Sequence, residues 1–279
     1  MFRSVGLIVR FDKKRAVRLA EELAEHLSQM GLDVCVEETV AERMKTNWKK
    51  LNLKSMRTDF IITLGGDGTI LRACLALPQP QPPILAVNMG IRGFLAEVEP
   101  KRALEAVDRS LNGQYTIEKC MKLAVEADGM IFPDALNEVV ITHDEPAKLL
   151  YMSISKAEES VMDCQADSLL ISTQTGSTGY SLSAGGPVLD PGVDAFVLTP
   201  ICPLSEFRPI VFPADSILTV KAYKPRRMLI LIDGHYTRII SSKFPSVKIT
   251  RSKNVASFIR FREDFYHRLK SRLLFKGIR

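Results

Sequence analysis

Apolar residues recur along the first third of the chain in two alternating rhythms. A run from Val5 to Val9 reads as a buried strand, and Ala16, Ala20, Leu23, Leu27 and Met30 then follow at helical spacing until Gly31 supplies a C-cap. Val34 to Val36, Phe60 to Leu64 and Ile84 to Val87 read as further strands, and a short helical pattern from Thr69 (Ile70, Leu71, Cys74, Leu75) precedes the last of them. Ala103, Leu104, Val107 and Leu111 give one more amphipathic helix, which Asn112 and Gly113 break. Strands alternating with helices predict an α/β domain over residues 1–113 with a Rossmann-like parallel sheet.

Beyond that point the rhythm becomes strand-like. Lys122 to Ala127, Leu136 to Thr142, Leu149 to Ser155, Leu169 to Thr173, Phe196 to Leu198, Ile217 to Tyr223, Met228 to Ile232, Thr237 to Ile240 and Ser257 to Phe261 are the expected strands. They predict a mainly β, sandwich-like domain over residues 114–262, with one helical island at Ser177 to Ala184. Phe265, Leu269 and Leu273 are spaced for a terminal helix within 263–279, expected to pack back on the first domain.

Composition narrows the class. With 279 residues, 46% hydrophobic and 25% charged, the chain is globular and long enough for two cores. The longest uncharged stretch, Ser168 to Leu189, is too rich in Ser, Thr and Gly to enter lipid, and the apolar run after Arg3 is too short for a signal-peptide core. An intracellular, cytoplasmic protein without membrane spans is expected. Five scattered cysteines, none spaced C-x-x-C, fit reduced packing residues better than disulfides or zinc. Seven Lys/Arg against two Asp/Glu between Arg260 and Arg279 leave the rest of the chain near neutrality. No nucleic-acid motif accompanies that basic tail, so no nucleic-acid partner is expected.

Candidate chemistry lies in three places. Leu64-Gly65-Gly66-Asp67-Gly68-Thr69 compresses a strand end, a glycine turn and a helix start into six residues, an arrangement that receives phosphate oxygens. A carboxylate there needs a reason: Asp67 holds a divalent metal, caps the helix, or takes a proton from a hydroxyl. Thr173 to Pro187 offers hydroxyls and glycines after a strand, with Tyr180 placed to stack on a ring and Thr178 and Ser183 to hydrogen-bond without bulk. Hydroxyl-rich turns also cap helices with no ligand involved. Asn137-Glu138 puts two polar residues inside the apolar strand Leu136 to Thr142, which suggests a strand end, and the pair reads either as part of a solvated edge strand or as a ligand site. Asp233-Gly234 fits a type I′ hairpin turn, which accounts for the pair. The P-loop and the dinucleotide-fold glycine fingerprints are both missing, and no histidine pair has metal-ligand spacing.

Taken together, Gly65 to Thr69, Asn137-Glu138, Gly176 to Pro187, and Thr199-Pro200-Ile201-Cys202-Pro203 with Arg208-Pro209 resemble the NAD kinase family in order and separation over nearly the whole chain. The first motif is shared with diacylglycerol and sphingosine kinases; the long third one is much more specific. The resemblance implies NAD and ATP or polyphosphate as substrates, a divalent ion, most simply Mg2+, whose ligands are unknown, and a homodimer or homotetramer with NAD between the domains and across a subunit interface. It implies a catalytic role for Asp67 beside Gly68, phosphate contacts at Gly65, Gly66, Gly68 and Thr69, and an adenine contact at Phe94. Asn137 and Glu138 would hold the ribose and adenosine, Asp167 would lie near the nicotinamide end, and Thr178, Tyr180, Ser183, Thr199 and Ile201 would line the pocket. The chain departs from the family pattern at Gln165-Ala166-Asp167-Ser168, where Arg-Ala-Asp-Gly is usual, and at Gly179, Leu204 and His235. A lipid kinase and an NAD(P)-binding sensor without turnover are the alternative readings.

Overall fold

The computed structural model describes residues 2–45, 47–90, 93–145, 148–224, 227–262 and 265–274. They form two compact units, Met1–Cys120 with Ala256–Arg279, and Met121–Val255.

In the first unit the strands are β1 (Ser4–Val9), β2 (Asp33–Glu37), β3 (Lys49–Leu51), β4 (Phe60–Gly65) and β5 (Ile84–Asn88), and the helices of eight residues or more are α1 (Lys14–Gln29), α2 (Asp67–Ala76) and α3 (Ala103–Leu111). The end of a later strand, which reaches Arg260, joins them in the order β5-β4-β1-β2-β3 by pairing in parallel with β5. Every neighbouring pair is parallel. Parallel strands are covered on both faces, and β1 and β4 are accordingly mainly apolar and almost wholly buried. Helix α1 buries Ala16, Ala20, Leu23, Ala24 and Leu27, one stripe at helical spacing. Gly31, with φ of +82°, ends it by letting Leu32 N–H return to the Leu27 carbonyl at 3.1 Å. That stripe, the β strands and Ala103, Ala106 and Val107 of α3 share one core. Its packing brings the C-terminal ends of β4 and β5 side by side, with Gly65 paired to Asn88.

The chain enters the second unit along β6 (Thr116–Ala127) and continues through β7 (Met130–Ile131), β8 (Glu138–Thr142), β9 (Leu150–Lys156), β10 (Glu159–Ala166), β11 (Ser168–Ser172), β12 (Ala195–Ile201), β13 (Ile210–Pro213), β14 (Leu218–Lys224), β15 (Arg227–Ile232) and β16 (Tyr236–Ser241) to β17 (Ser246–Arg260). Six strands form an antiparallel sheet in the order β13-β12-β11-β8-β15-β16, and β10-β9-β14-β17 form an antiparallel run of their own. Strand β8 thus lies between β11 and β15, so the solvated-edge reading of Asn137-Glu138 does not hold.

Three edge strands fall outside the expected set. Only Cys164 and Ala166 of β10 are buried, β3 is Lys-Lys-Leu, and β13 is a four-residue run, Ile-Val-Phe-Pro, bounded by prolines. The first ten residues of β17 alternate around Val247 and Ile249 but carry enough Ser, Lys and Arg to read as loop. The terminal segment is helical over Phe265–Arg268 and π-helical over Leu269–Leu274; residues 263, 264 and 275–279 of the expected terminal helix lie outside the described residues.

Leu23 is fully buried in the α1 stripe, whereas Leu104 on α3 is exposed. Leu23→Ala is expected to cost about 2–5 kcal/mol in urea unfolding and Leu104→Ala under about 1 kcal/mol. Equal losses would contradict the assignment of the α1 face.

Candidate functional site

In the first unit the glycine loop follows β4 directly, and Asp67 is the first residue of α2, preceded by Gly66 as N-cap. Asp67 makes no capping bond to its own helix. Its Oδ2 accepts the Phe94 N–H at 2.7 Å and its Oδ1 the Leu95 N–H at 3.1 Å. An ionised carboxylate offers about four acceptor positions, so this one fixes the Phe94 segment and keeps capacity for a ligand. The two loop glycines serve different ends. A Cβ on Gly65 would lie 2.1 Å from Thr69 Oγ1, so Gly65 is required by the packing of buried Thr69. A Cβ on Gly66 would meet nothing within 4 Å, so the bare backbone there is open to an incoming group. Gly68, the second residue of α2, is exposed. A Cβ on Gly93 would come 3.0 Å from Asp67 Oδ1 and 3.5 Å from Asn88 Oδ1, which places those two oxygens beside the same glycine. The Phe94 ring has Phe265 edge-on at 5.4 Å and the Arg268 guanidinium over it at 5.4 Å.

In the second unit Asn137 and Glu138 stand at the entry to β8. Asn137 Oδ1 and Glu138 Oε2 are buried and have no hydrogen-bond partner. Orphaned buried acceptors are costly and point to a ligand that completes them. The main chain around them is held from two sides. Asp233 Oδ2 accepts the Leu136 N–H at 2.8 Å, and its Oδ1 accepts those of Asn137 at 2.8 Å and Glu138 at 3.0 Å. On the carbonyl side, Thr173 Oγ1 donates to Leu136 O at 2.6 Å and Thr173 N–H to Asn137 O at 2.9 Å. Burial pushes the Glu138 carboxyl up to about 8, and the neighbouring Asp233 charge adds to the shift. Asp233 is also raised by burial, but its three N–H donors and the buried Lys122 pull the other way.

The hydroxyl-rich loop runs as a 3-10 turn, Gly176–Thr178, into the short helix Tyr180–Ser183. Several of its hydroxyls are spent internally. Ser177 donates to Gln174 O at 2.6 Å, Thr178 to Thr175 O at 3.1 Å, and Ser181 lies 3.3 Å from Thr199 Oγ1 in full burial. Tyr180 and Ser183 are exposed. The loop is pressed onto Asn137: a Cβ on Gly176 would come 2.1 Å from Asn137 O. One on Gly179 would sit 3.7 Å from both Asn137 Nδ2 and Glu138 Oε2. The structure therefore brings Asn137, Glu138 and the Thr178-Gly179-Tyr180 stretch together. Asp167 and Ile201 meet separately, through Asp167 N–H to Ile201 O at 3.1 Å, and the Asp167 carbonyl accepts from Thr142 Oγ1 at 3.1 Å.

Two residues of this site have no functional signature in the sequence. Asp233 and Gly234 have φ of +49° and +66°, as the expected turn requires, and the turn alone explains the pair. The carboxylate's further role as a clamp spans nearly a hundred residues of sequence. Lys122 is one of four charged residues along β6, and nothing in the sequence marks it as the buried one. Among the described residues no group of three or more His, Cys, Asp or Glu is placed to hold a metal. Asp67 is the side chain through which the glycine loop would hold a divalent ion, and such an ion would supply charge neutralisation to a phosphate there. No helix among the described residues is long and apolar enough to cross a membrane.

A family model described as the ATP-NAD kinase N-terminal domain matches residues 5–115, and one described as the ATP-NAD kinase C-terminal domain matches residues 136–261. The chain is 39% identical to an NAD kinase of Methanothermobacter thermautotrophicus, over 98% of this chain and 97% of that protein. It is 38% identical to a bifunctional NADP phosphatase/NAD kinase of Methanocaldococcus jannaschii, over 95% of this chain and 46% of that longer protein. Among solved structures, an NAD kinase from Archaeoglobus fulgidus in complex with ATP superposes with a TM-score of 0.78 at 26% identity, covering 96% of this chain and 99% of that one. A yeast NADH kinase complexed with NADH superposes with a TM-score of 0.89 at 23% identity, covering 99% and 90%, a likeness of fold.

The Glu138 shift sets a pH dependence of stability. Unfolded, this carboxyl ionises near its ordinary value of 4.5; folded, it keeps its proton to about 8. The native state therefore binds more protons between those values, and stability falls as pH rises through that window. Glu138→Gln removes the group, so its Tm relative to wild type should rise from pH 5 to pH 8, by an amount equivalent to at most about 5 kcal/mol. A Tm difference independent of pH would contradict the shift.

Proposed function

The chain belongs to the NAD kinase family, and from that membership we propose that it transfers the γ-phosphoryl group of ATP, or a terminal phosphoryl of polyphosphate, to the 2′-hydroxyl of the adenosine ribose of NAD. The observation that carries the reading is Asp67: a carboxylate at the start of a helix, after a glycine with open space, held by two N–H groups that leave it acceptor capacity. In the transfer the bond from the 2′-oxygen to phosphorus forms and the bond from phosphorus to the bridging oxygen breaks. The hydroxyl proton passes to Asp67 and ADP leaves with the electron pair. Phosphoryl transfer needs alignment and charge neutralisation more than covalent help. The exposed backbone at Gly66 and the N-terminus of α2 receive phosphate oxygens, and Gly65 and Thr69 shape that turn. A divalent ion, Mg2+ most simply, carried on the donor's phosphates would neutralise charge there. Asn137 and Glu138 hold the nucleoside through their orphaned oxygens. Tyr180 and Ser183 supply exposed contacts, while Thr178, Asp167, Thr199 and Ile201 shape the remainder of the nucleotide site. Function in the cytoplasm as a homodimer or homotetramer rests on the family resemblance.

Incubating the pure protein with NAD, ATP and Mg2+ is expected to yield NADP. Phosphorylation of diacylglycerol instead, or NAD binding with no product, would replace the reading with a lipid kinase or a sensor. Asp67→Asn is expected to lower turnover by about 10²- to 10⁴-fold, the range of a positioned base. Full turnover in that variant would remove Asp67 from the reaction. Gly66→Ala should leave the Tm nearly unchanged, because its Cβ meets nothing within 4 Å, yet raise the KM for ATP by about tenfold or more. An unchanged KM would show that the donor does not approach this glycine.

A further inference from the structure

Asp233 sits in the turn between β15 and β16 and is 3% exposed, and the reaction just described gives it no task. Its carboxylate nevertheless takes three main-chain N–H groups in succession, those of Leu136, Asn137 and Glu138, while its own N–H donates to Glu138 O at 3.0 Å. Leu136 and Asn137 precede β8, so Asp233 supplies acceptors where the strand ladder has not begun. With Thr173 on the carbonyl side, the peptide groups that carry the two nucleoside ligands cannot rotate.

The second consequence is one of charge. Two carboxyls, Glu138 and Asp233, lie buried together, and Lys122, fully buried on β6, acts electrostatically on Asp233. One ammonium balances one carboxylate. Asp233 has the three N–H donors and the electrostatic support of Lys122, so it is the ionised member, and the proton remains on Glu138, whose Oε2 has no donor of its own. A neutral carboxyl has one O–H to give and one C=O to accept with, which matches a sugar diol; a carboxylate could only accept.

We propose that Asp233 is a positioning residue of the nucleoside site, which fixes the Asn137-Glu138 main chain and obliges Glu138 to meet the dinucleotide as a neutral acid. The inference rests on the reading of Asn137 and Glu138 as nucleoside ligands. Ionising Glu138 places a second negative charge beside Asp233 and opposes a ligand that already carries a diphosphate.

The test is the equilibrium dissociation constant of NAD for the full-length protein from pH 6 to 9.5, in wild type, Glu138→Gln and Asp233→Asn. Wild-type affinity should be flat at low pH and fall by about tenfold per pH unit once Glu138 ionises, above about pH 8. Glu138→Gln, a permanently neutral side chain, should show no fall over the same range, whatever its affinity at pH 7. Asp233→Asn removes the charge that opposes ionisation, so its inflection should move to lower pH, with the KM for NAD raised more than kcat is changed. A merely structural role for Asp233 would lower affinity equally at every pH. Glu138→Gln tests the protonation state even if Asp233→Asn does not fold. An inflection that survives in Glu138→Gln, or one unmoved by Asp233→Asn, would overturn the inference while leaving the kinase reading intact. A wild-type protein that binds no NAD at any pH would overturn the nucleoside-site reading and this inference with it.

Discussion

Carboxylates that are neutralised by main-chain N–H groups hold this fold's irregular segments in place. Strand ladders and helices satisfy their own peptide groups; the stretches that enter or leave them do not, and an N–H left without an acceptor away from water is expensive. Asp67 takes up the N–H groups of Phe94 and Leu95 between β5 and α3, Asp233 those of Leu136 to Glu138 at the head of β8, and Asp59 those of Arg3 and Ser4 at 2.6 and 2.9 Å at the head of β1. At the exposed Asp59 these bonds hold the carboxyl below its ordinary value. Asp67 and Asp233 use the same device where chemistry is expected. A carboxylate supported by peptide dipoles needs no tight partner cation, and it keeps lone pairs for a ligand or for fixing one.

This constraint also divides the glycines and hydroxyls into two kinds. Gly65 and Gly176 are demanded by packing, since a side chain on either would run into Thr69 or the Asn137 carbonyl. Gly66 has no such reason, and its bareness makes sense toward a ligand. In the hydroxyl-rich loop Ser177, Thr178 and Ser181 tie the loop to itself or to Thr199, and Tyr180 and Ser183 remain on the surface. The loop is a stiff support with few exposed polar contacts, more economical in ligand contacts than its composition suggests.

Much of this was legible from the amino-acid order, and what was hidden has physical causes. The strand–helix rhythm of the first unit and the glycine turn before α2 follow from apolar spacing and cap residues, because a parallel sheet buries both faces and leaves an unbroken signature. Edge strands β3 and β10 carry the polar residues that protect an edge, and β13 is only four residues, Ile-Val-Phe-Pro, bounded by prolines, so all three read as loops. The motifs located Asp67 and Asn137-Glu138, but not what holds them. A turn needing positive φ at Asp233 and Gly234 is a complete local explanation of that dipeptide, and nothing local shows that the aspartate reaches Glu138, 95 residues away. Nor does Lys122, one of several charges along β6, reveal that it is fully buried and acts on Asp233.

The most direct test of the account is a crystal structure of the protein with NAD and a non-hydrolysable ATP analogue. The 2′-oxygen of the adenosine ribose should lie within hydrogen-bond reach of an Asp67 oxygen, about 2.6–3.2 Å. An adenosine ribose bound away from Asp67 would contradict it.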